Sequence, residues 1–332
     1  MVYEFAITPE LFDASVINAE NESEKLIEIL RAINDNGGIL ADLNKGGWAK
    51  YVRQKMDTLP QKQKDRFLKL LTKLKDRNRL VRHQKGKRPP STDQDWLKLA
   101  LNSHEKIPFH AIILSEALKA SCDKKCDNFF ECDNFLDSDQ REKLINATLT
   151  CPFSYDKYKS AFAPVLRYAK CLTIIDPYMH LLNPECSKII TICSELLGKR
   201  RPKHGKFPET RIVIHAQDSG VRENLSYKPS DWEKKLKPLS SKYDHIFKVY
   251  LWKREAKKLH ARYILTNQCG ILSSESFCCK ENPNSDDNGT WSLIGRKRQE
   301  QLEDEYDPST QSQDAFKEIT VEPNKEKVAH RE

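Results

Sequence analysis

The sequence lacks any long uninterrupted run of apolar residues. Nowhere in its 332 residues does an apolar stretch approach the roughly 20 residues that a membrane-spanning helix needs. The opening stretch, MVYEFAITPELFDAS, also lacks the basic and apolar regions of a secretory signal peptide. We therefore expect a soluble, cytoplasmic protein.

Cysteine pairs of the kind that bind zinc are also missing. The ten cysteines are too sparse for a disulfide scaffold, and no export signal accompanies them. Cys122, Cys126 and Cys132 follow a C-x3-C-x5-C spacing, whereas structural zinc sites use closely paired C-x2-C thiols. These thiols predict no metal site. We interpret the polar, turn-rich segment 121–145 as a linker between two domains.

The positive charge is confined to one segment. Lys and Arg number 56 against 48 Asp and Glu, a net charge of +8. Residues 65–90 contain ten basic and two acidic residues, which equals the whole excess. Their first half predicts an amphipathic helix with Phe67, Leu70, Leu71 and Leu74 on the buried stripe. The basic residues form either a solvated helix face with a connector, or a surface for a nucleic-acid backbone made by Lys73, Arg77, Arg79, Arg82, Lys85, Lys87 and Arg88.

Residues 1–120 alternate between apolar strand patterns and amphipathic helix patterns. Strands are predicted near both Val2–Ile7 and Phe109–Leu114. This alternation predicts a separate N-terminal domain of α/β or mainly helical type, whose role the pattern does not define. Asp13, Asp42 and Asp95 lie near element ends, where they serve as helix caps and turns or, alternatively, hold a divalent metal for nucleic-acid cleavage.

The C-terminal half follows a β-α-β-α-β order and ends in two further strands. Predicted strands cover the apolar runs 171–176, 211–215, 247–252, 260–266 and 270–274. This order is typical of an α/β sandwich, which we expect over residues 146–306. Residues 307–332 are polar with few large apolar groups, and we expect them to form a disordered tail.

The residues that suggest chemistry lie on the predicted strand 260–266. Alternation along a strand directs His260 and Arg262 to the same face. An imidazole can attack phosphorus while a neighbouring guanidinium holds the nonbridging oxygens of a phosphate. The pair therefore indicates a phosphate site.

This stretch resembles the phospholipase D superfamily, whose signature is H-x-K-x4-D. His260 matches the signature histidine, Arg262 the lysine and Asn267 the aspartate, and 271–277 is similar to the strand and polar turn that follow. A divergent branch has an h-h-D-P-Y strand upstream and H-D-R-[FY]-I-[IL]-T at the site. Residues 176–178 supply Asp-Pro-Tyr, and Ala261 replaces the usual aspartate of the second pattern.

The resemblance implies a metal-independent mechanism with two histidines, in which one forms a phosphohistidine and the other handles the leaving-group proton. The chain has a single motif copy, so the resemblance implies a homodimer that shares one site. With Asn267 in place of Asp, a nearby carboxylate must orient His260. Glu275 and the acidic cluster 303–305 are the candidates, and we interpret His215 as structural.

We predict a phospholipase D-like phosphodiesterase, a nuclease that needs no cofactor. Its candidate catalytic residues are His260, Arg262, Asn267 and Glu275, and its candidate substrate-binding residues are Lys257, Lys258, Ser274 and Asp176. By analogy, such modules joined to an unrelated N-terminal domain suggest bacterial anti-phage defence and further protein partners. The alternative is a non-catalytic module of the same fold that binds nucleic acid or phosphate within a multiprotein complex.

Overall fold

The structure is a computed structural model that describes residues 2–17, 20–83, 89–124, 126–146, 148–199, 210–218, 229–257, 259–284 and 286–324. The chain forms two compact units, unit 1 (residues 1–147) and unit 2 (residues 148–332). Unit 1 contains a parallel sheet and unit 2 a mixed sheet, so the predicted α/β class is confirmed. No helix in these described ranges is long and apolar enough to cross a membrane.

Unit 1 alternates strands and helices. Its elements are, in chain order, β1 (Glu4–Ile7), α1 (Glu20–Asp35), β2 (Ile39–Asp42), α2 (Leu43–Met56), α3 (Gln61–Asp76), β3 (Leu80–Arg82), α4 (Asp93–Lys106), β4 (Ala111–Ile113), α5 (Glu116–Ala120), β5 (Phe129–Phe130), α6 (Cys132–Leu136) and α7 (Asp139–Ile145). A 3₁₀ helix, Pro9–Phe12, follows β1. The strands pair in the order β3-β2-β1-β4-β5, and every pair is parallel.

The sequences of the central strands explain their place in this sheet. β1, β2 and β4 read EFAI, ILAD and AII, and all of their residues are buried. Parallel strands are covered by helices on both faces, which favours continuous apolar runs over alternation. The amphipathic helix predicted in the basic segment is α3, which buries Phe67, Leu70, Leu71 and Leu74.

Residues 121–145 differ from the predicted linker, because they belong to the core of unit 1. β5 extends the parallel sheet by pairing with β4. Phe135 on α6 is fully buried, and its ring meets that of Phe5 edge-on at 5.7 Å. Phe129, Phe135 and Leu144 are buried and anchor this otherwise polar and largely exposed segment to the core of unit 1.

Unit 2 is built around an eight-stranded sheet. Its elements are, in chain order, β6 (Thr148–Pro152), α8 (Tyr155–Leu166), β7 (Cys171–Ile175), α9 (Pro184–Leu196), β8 (Thr210–Gln217), α10 (Pro229–Tyr243), β9 (His245–Trp252), β10 (Arg262–Thr266), β11 (Gly270–Ser273), β12 (Asn288–Ile294), α11 (Arg296–Glu305) and β13 (Phe316–Val321). The strand order is β13-β9-β8-β7-β10-β11-β12-β6. β7, β8 and β9 run parallel, whereas β10 pairs antiparallel with β7.

The segment expected to be a disordered tail contributes an edge strand instead. β13 pairs antiparallel with β9 over six residues, from Phe316 opposite Trp252 to Val321 opposite Phe247. Ile319 and Val321 are buried, while Lys317 and Glu318 are exposed. A strand needs apolar groups only at alternate positions, so a mainly polar composition did not reveal it. The described part of the predicted tail therefore ends at residue 324.

Candidate functional site

The antiparallel pairing of β10 with β7 creates the candidate site. Tyr263 lies opposite Ile175, so β10 begins where β7 ends. Arg262 is the first residue of β10, and Asp176 directly follows β7. An antiparallel neighbour thus places the start of one strand beside the carboxyl end of another.

Asp176 is the buried centre of this site. Its side chain is fully buried, and its two carboxylate oxygens accept the backbone N–H groups of Tyr178 and Phe277, each at 2.9 Å. Burial raises the pKa of Asp176, and the two backbone hydrogen bonds together with the charge of Arg262 partly oppose that rise. The carboxylate therefore fixes the 276–277 turn against the end of β7.

Arg262 is held by the same turn. Its Nε donates to Ser276 Oγ at 3.3 Å, and one terminal nitrogen donates to the carbonyl oxygen of Ser274 at 3.1 Å. Ser276 Oγ also lies 3.5 Å from Asp176 Oδ1, which links the guanidinium to the buried carboxylate. The guanidinium carbon lies 5.1 Å from the centre of the Tyr178 ring, a side chain that is 56% exposed. Arg262 is therefore oriented before any ligand arrives.

His260 is exposed and lies two residues before Arg262. It precedes β10 rather than lying within it, so the predicted strand 260–266 is shorter at its start. Among the described residues its imidazole has no hydrogen bond or ion pair. The segment before it is anchored by Gln217, whose Oε1 accepts the Leu259 N–H at 3.1 Å and whose Nε2 donates to the Lys257 carbonyl at 3.1 Å. The backbone is fixed while the imidazole faces solvent.

Asn267 lies away from this pair, at the opposite end of β10. A strand rises about 3.3 Å per residue, which separates Asn267 from Arg262 by about 16 Å. Its Oδ1 accepts the Lys170 N–H at 2.6 Å, and its buried Nδ2 has no partner in the described part of the chain. Asn267 therefore lies at the far end of β10 from Arg262, and its side chain connects two loops of unit 2.

The candidate carboxylates do not orient His260. The Glu275 side chain is exposed and has no hydrogen bond within the described ranges, although its backbone pairs with the Ser273 hydroxyl. In the acidic cluster 303–305, Glu303 accepts from Gln299 at 2.7 Å, and Glu305 pairs with Lys257 at 3.9 Å. No carboxylate among the described residues contacts the imidazole of His260.

Lys257 packs into the aromatic core rather than facing a substrate. Its ammonium group lies 3.8 Å from the Tyr306 ring centre and 5.1 Å from the Trp252 ring centre. It also donates to the Glu305 carbonyl, and burial lowers its pKa. The predicted substrate-binding role of Lys257 is therefore not supported by its contacts, while Lys258 lies outside the described residues.

His215 is a core residue, in agreement with its structural interpretation. Its Nδ1 accepts the Trp252 Nε1–H at 3.0 Å, and its ring stacks on Tyr250 with the ring centres 5.2 Å apart. Burial, reinforced by the charge of Lys257, lowers the pKa of His215 to about 3. It is therefore a neutral hydrogen-bond acceptor at physiological pH.

The predicted nucleic-acid surface of unit 1 divides into exposed and buried groups. Lys73 and Arg82 are exposed. Arg79 is only 5% exposed and donates to the Asn34 carbonyl at 2.6 Å, and Arg77 donates to the same oxygen at 3.0 Å. These two arginines close the end of α1, so Arg79 cannot contact a nucleic acid. Lys85, Lys87 and Arg88 lie outside the described residues.

The three aspartates considered for a metal do not form a site. Asp95 completes the capping box of α4 with Thr92, and Asp42 accepts the Ala49 N–H at 3.0 Å. Asp13 pairs with Lys55 at 3.0 Å. Across the described ranges no group of three or more His, Cys, Asp or Glu side chains is arranged to hold a metal ion.

Sequence reasoning missed three residues that shape the site. Tyr178 covers the Arg262 guanidinium, Ser276 joins it to Asp176, and Gln217 anchors the loop before His260. Tyr178 was visible as part of Asp-Pro-Tyr, but a turn serine and a strand-end glutamine have no distinctive spacing. Only the strand pairing brings these three residues together.

Comparison with known proteins gives no match, because no protein-family model, curated protein or solved structure is significantly similar to the chain. The resemblance to the phospholipase D superfamily therefore rests on the motif residues alone. What the structure itself contributes is an exposed imidazole two residues before a guanidinium that Ser276 links to a buried carboxylate. This combination can bind a phosphate group and offers it a nucleophile.

Proposed function

We propose that unit 2 is a phospholipase D-like phosphodiesterase that cleaves nucleic acid without a metal ion. The observation that carries the proposal is that the exposed His260 lies two residues before Arg262, whose guanidinium is held by Ser274 and Ser276. A guanidinium fixed in this way binds nonbridging phosphate oxygens with little further loss of side-chain entropy. The imidazole of His260, two residues away in the chain, is an exposed nucleophile that forms no hydrogen bond with the described residues.

The proposed reaction has two displacements. In the first, a ring nitrogen of His260 attacks phosphorus, an N–P bond forms and the P–O bond to the leaving strand breaks. The leaving oxygen takes a proton from His260 of a second copy of the chain. That second imidazole then removes a proton from water, whose oxygen attacks phosphorus and breaks the N–P bond. Arg262 holds the phosphate oxygens throughout and neutralises their charge.

The second copy is part of the proposal because the sequence contains one H-x-[KR]-x4-[DN] motif only. A two-fold axis beside the place where β7 ends and β10 begins would supply one His260 from each copy of the chain, on identical surfaces. Nucleic acid is the proposed substrate because the net charge is +8 and α3 exposes basic residues such as Lys69 and Lys73. A role in anti-phage defence beside further proteins remains part of this proposal by analogy only.

A non-catalytic phosphate-binding module is the second candidate. The observation that favours it is that no described carboxylate contacts His260 to orient the imidazole or to stabilise its cation. In that case Arg262 binds phosphate, His260 adds a hydrogen bond, and another protein supplies any chemistry.

Incubation of the purified chain with DNA and RNA in EDTA separates the two candidates. The nuclease proposal predicts metal-independent cleavage that His260→Ala reduces by at least about 10⁴-fold. Glu255→Gln is the matched control, because Glu255 is exposed in the same loop. Binding of DNA or RNA without cleavage, with or without added metal, would contradict the nuclease proposal and support the non-catalytic phosphate-binding module. Light scattering adds a second check, since an active monomer would contradict the shared site.

A further inference from the structure

Tyr178 is an exposed aromatic side chain beside the proposed phosphate site. It is 56% exposed, and Leu182, on the same loop between β7 and α9, is 44% exposed. Within the described residues, the only other exposed large apolar side chain is Ile145, which belongs to unit 1. Scattered exposed apolar residues are ordinary, so the meaning of Tyr178 depends on its surroundings.

The backbone that carries Tyr178 is fixed. The Tyr178 N–H donates to Asp176 Oδ1 at 2.9 Å, and the Met179 N–H donates to the Asp176 carbonyl oxygen at 3.1 Å. Met179 and Leu181 are buried, and Asn183 caps the start of α9. The core therefore holds the loop while the Tyr178 ring stays exposed. A ligand that stacks on a ring held in this way loses little binding energy to ordering the protein.

The Arg262 guanidinium lies over this ring. Its carbon is 5.1 Å from the centre of the Tyr178 ring, while Nε and Nη1 donate to Ser276 Oγ and to the Ser274 carbonyl oxygen, respectively. Nη2 has no hydrogen bond within the described ranges and is the nitrogen left for a phosphate oxygen. A phosphate-binding cation and an exposed aromatic ring are therefore adjacent, and both are held by the Asp176 turn.

A nucleotide whose phosphate binds Arg262 can place its base on Tyr178, because a single sugar separates the base from the phosphate. Aromatic side chains stack on any base, since every base has a π-face, and this contact strengthens the binding of single strands. In a duplex the neighbouring bases cover both faces of each base. Only an unpaired and unstacked base can therefore use the Tyr178 ring.

We propose that Tyr178 stacks on the base of the nucleotide whose phosphate Arg262 binds, so that unit 2 selects single-stranded DNA or RNA over a duplex. Because Arg262 is taken to bind a nucleic-acid phosphate, this role of Tyr178 rests on the proposed function. Tyr178 serves substrate selection, and the chemistry stays with His260. Stacking tolerates all four bases, so we expect little sequence preference from this contact.

Fluorescence anisotropy with labelled oligonucleotides in EDTA tests the proposal on the full-length protein. His260→Ala is the background, so that no cleavage consumes the probe. The probes are single-stranded DNA, single-stranded RNA, a DNA duplex of the same sequence, and a single strand in which abasic sites replace every base. Adding Tyr178→Ala should weaken single-strand binding by about tenfold to a hundredfold, and duplex or abasic-strand binding by less than about twofold. A loss confined to DNA or to RNA identifies which of the two unit 2 selects.

Tyr243→Ala is the matched control. Tyr243 also has a cation over its ring, Lys242 at 4.9 Å. It precedes β9, which runs parallel to β8 and β7, so it lies at the opposite end of the sheet from Asp176. This control should leave all four affinities unchanged. Tyr178→Phe should keep the single-strand affinity because it keeps the ring. Tyr178→Leu keeps apolar bulk without an aromatic face, and it carries the same comparison if Tyr178→Ala fails to fold.

Equal losses on normal and abasic strands would overturn the proposal, because Tyr178 would then only position Arg262. An equal loss on the duplex would overturn it as well, as would conversion of a dimer to a monomer by Tyr178→Ala in light scattering. Cleavage that persists while Tyr178→Ala changes no affinity would overturn the role of Tyr178 and leave the nuclease. Single-strand binding that depends on Tyr178, without cleavage by the unsubstituted protein, would support the role of Tyr178 and contradict the nuclease. Failure of every probe to bind would contradict both.

Discussion

The two sheets of this protein carry different sets of charged side chains at their strand ends. In unit 1, where all pairs are parallel, the buried acid Glu10 follows β1 and the buried acid Asp42 is the last residue of β2. In unit 2, the antiparallel strand β10 begins with Arg262 at the end of β7, where Ser276 links Arg262 to Asp176, and the exposed His260 lies two residues before Arg262. Adding one antiparallel strand thus turns an acidic strand end into a site with an exposed base and a fixed cation.

The comparison teaches how strand direction selects the side chains that meet at a strand end. At the carboxyl end of a parallel sheet only residues that end or follow strands meet, and in unit 1 these include the carboxylates Glu10 and Asp42 and the exposed cation Arg82. A mixed sheet also collects residues that precede strands, and in unit 2 these are suited to a phosphate. Strand direction, rather than net charge, determines which chemistry is assembled.

Among the substitutions discussed here, we expect those of Arg262 to have the largest effect on the proposed phosphate site of unit 2. Arg262→Ala should weaken binding or cleavage of a DNA oligonucleotide by about 10²–10³-fold, because it removes the fixed cation. The activity of Arg262→Lys should lie between that of the unsubstituted protein and that of Arg262→Ala. Lysine keeps the positive charge but lacks the guanidinium group that reaches both Ser274 and Ser276. Binding titrations and rate measurements provide the readout.

Arg298→Ala is the matched control, because Arg298 contacts Tyr263 on the same strand at 3.4 Å without joining the Asp176 group. Equal losses in Arg298→Ala and Arg262→Ala would show that only general positive charge matters.

Because His215 is buried in unit 2, we predict that the free energy of unfolding of this unit depends on pH. It is neutral in the folded state, with a pKa of about 3, whereas an unfolded histidine binds a proton below about pH 6.5. The contribution of His215 to the free energy of unfolding should therefore be fully present above pH 6.5. Below pH 6.5 it should fall by about 1.4 kcal/mol per pH unit, or about 3 kcal/mol by pH 4.

His215→Gln should flatten this slope, because Gln keeps an acceptor for the Trp252 indole without titrating. His260→Gln is the control, because that imidazole is exposed in the same unit, and denaturant unfolding at several pH values supplies the measurement. The same slope in the protein with and without His215 would contradict the assignment.

The aspartates that end β7 and β2 allow a matched comparison between units. Asp176→Ala should lower the free energy of unfolding by about 2–3 kcal/mol, because it leaves the Tyr178 and Phe277 N–H groups without their acceptor. Asp42 accepts one backbone N–H, from Ala49, so Asp42→Ala should cost about half as much. Urea unfolding measures both, and a larger loss in Asp42→Ala would reverse the ranking.

The smallest expected effect concerns the basic face of α3. Lys73 is exposed, so Lys73→Gln should reduce the slope of log affinity against log salt for DNA by about 1, with little change in stability. The salt series of a fluorescence binding assay is the measurement. An unchanged slope would remove this helix from the nucleic-acid surface.

The sequence predicts the α/β class and several elements well, because those elements have strong patterns. The helix of Phe67, Leu70, Leu71 and Leu74 and the apolar strands of both units are examples. It does not predict β5 or β13, because these strands contain few apolar residues and are stabilised by pairing with β4 and β9. Sheet pairing is a long-range property that local composition does not encode.

The same limit applies to the candidate site. His260, Arg262 and Asp176 stand out by type and spacing, and the structure places Asp176 beside Arg262. The motif could not show that Asn267 lies at the far end of β10 or that Lys257 packs on Tyr306, because both facts depend on strand ends and on aromatic packing.

Trapping of a covalent intermediate tests the central claim most directly. The full-length protein is mixed with radiolabelled single-stranded DNA in EDTA, quenched in alkali, which preserves phosphohistidine, and separated under denaturing conditions. The account predicts label attached to the protein at His260, present in Lys73→Gln and absent in His260→Ala. Cleavage without any protein-bound label, or label attached to another residue, would contradict it.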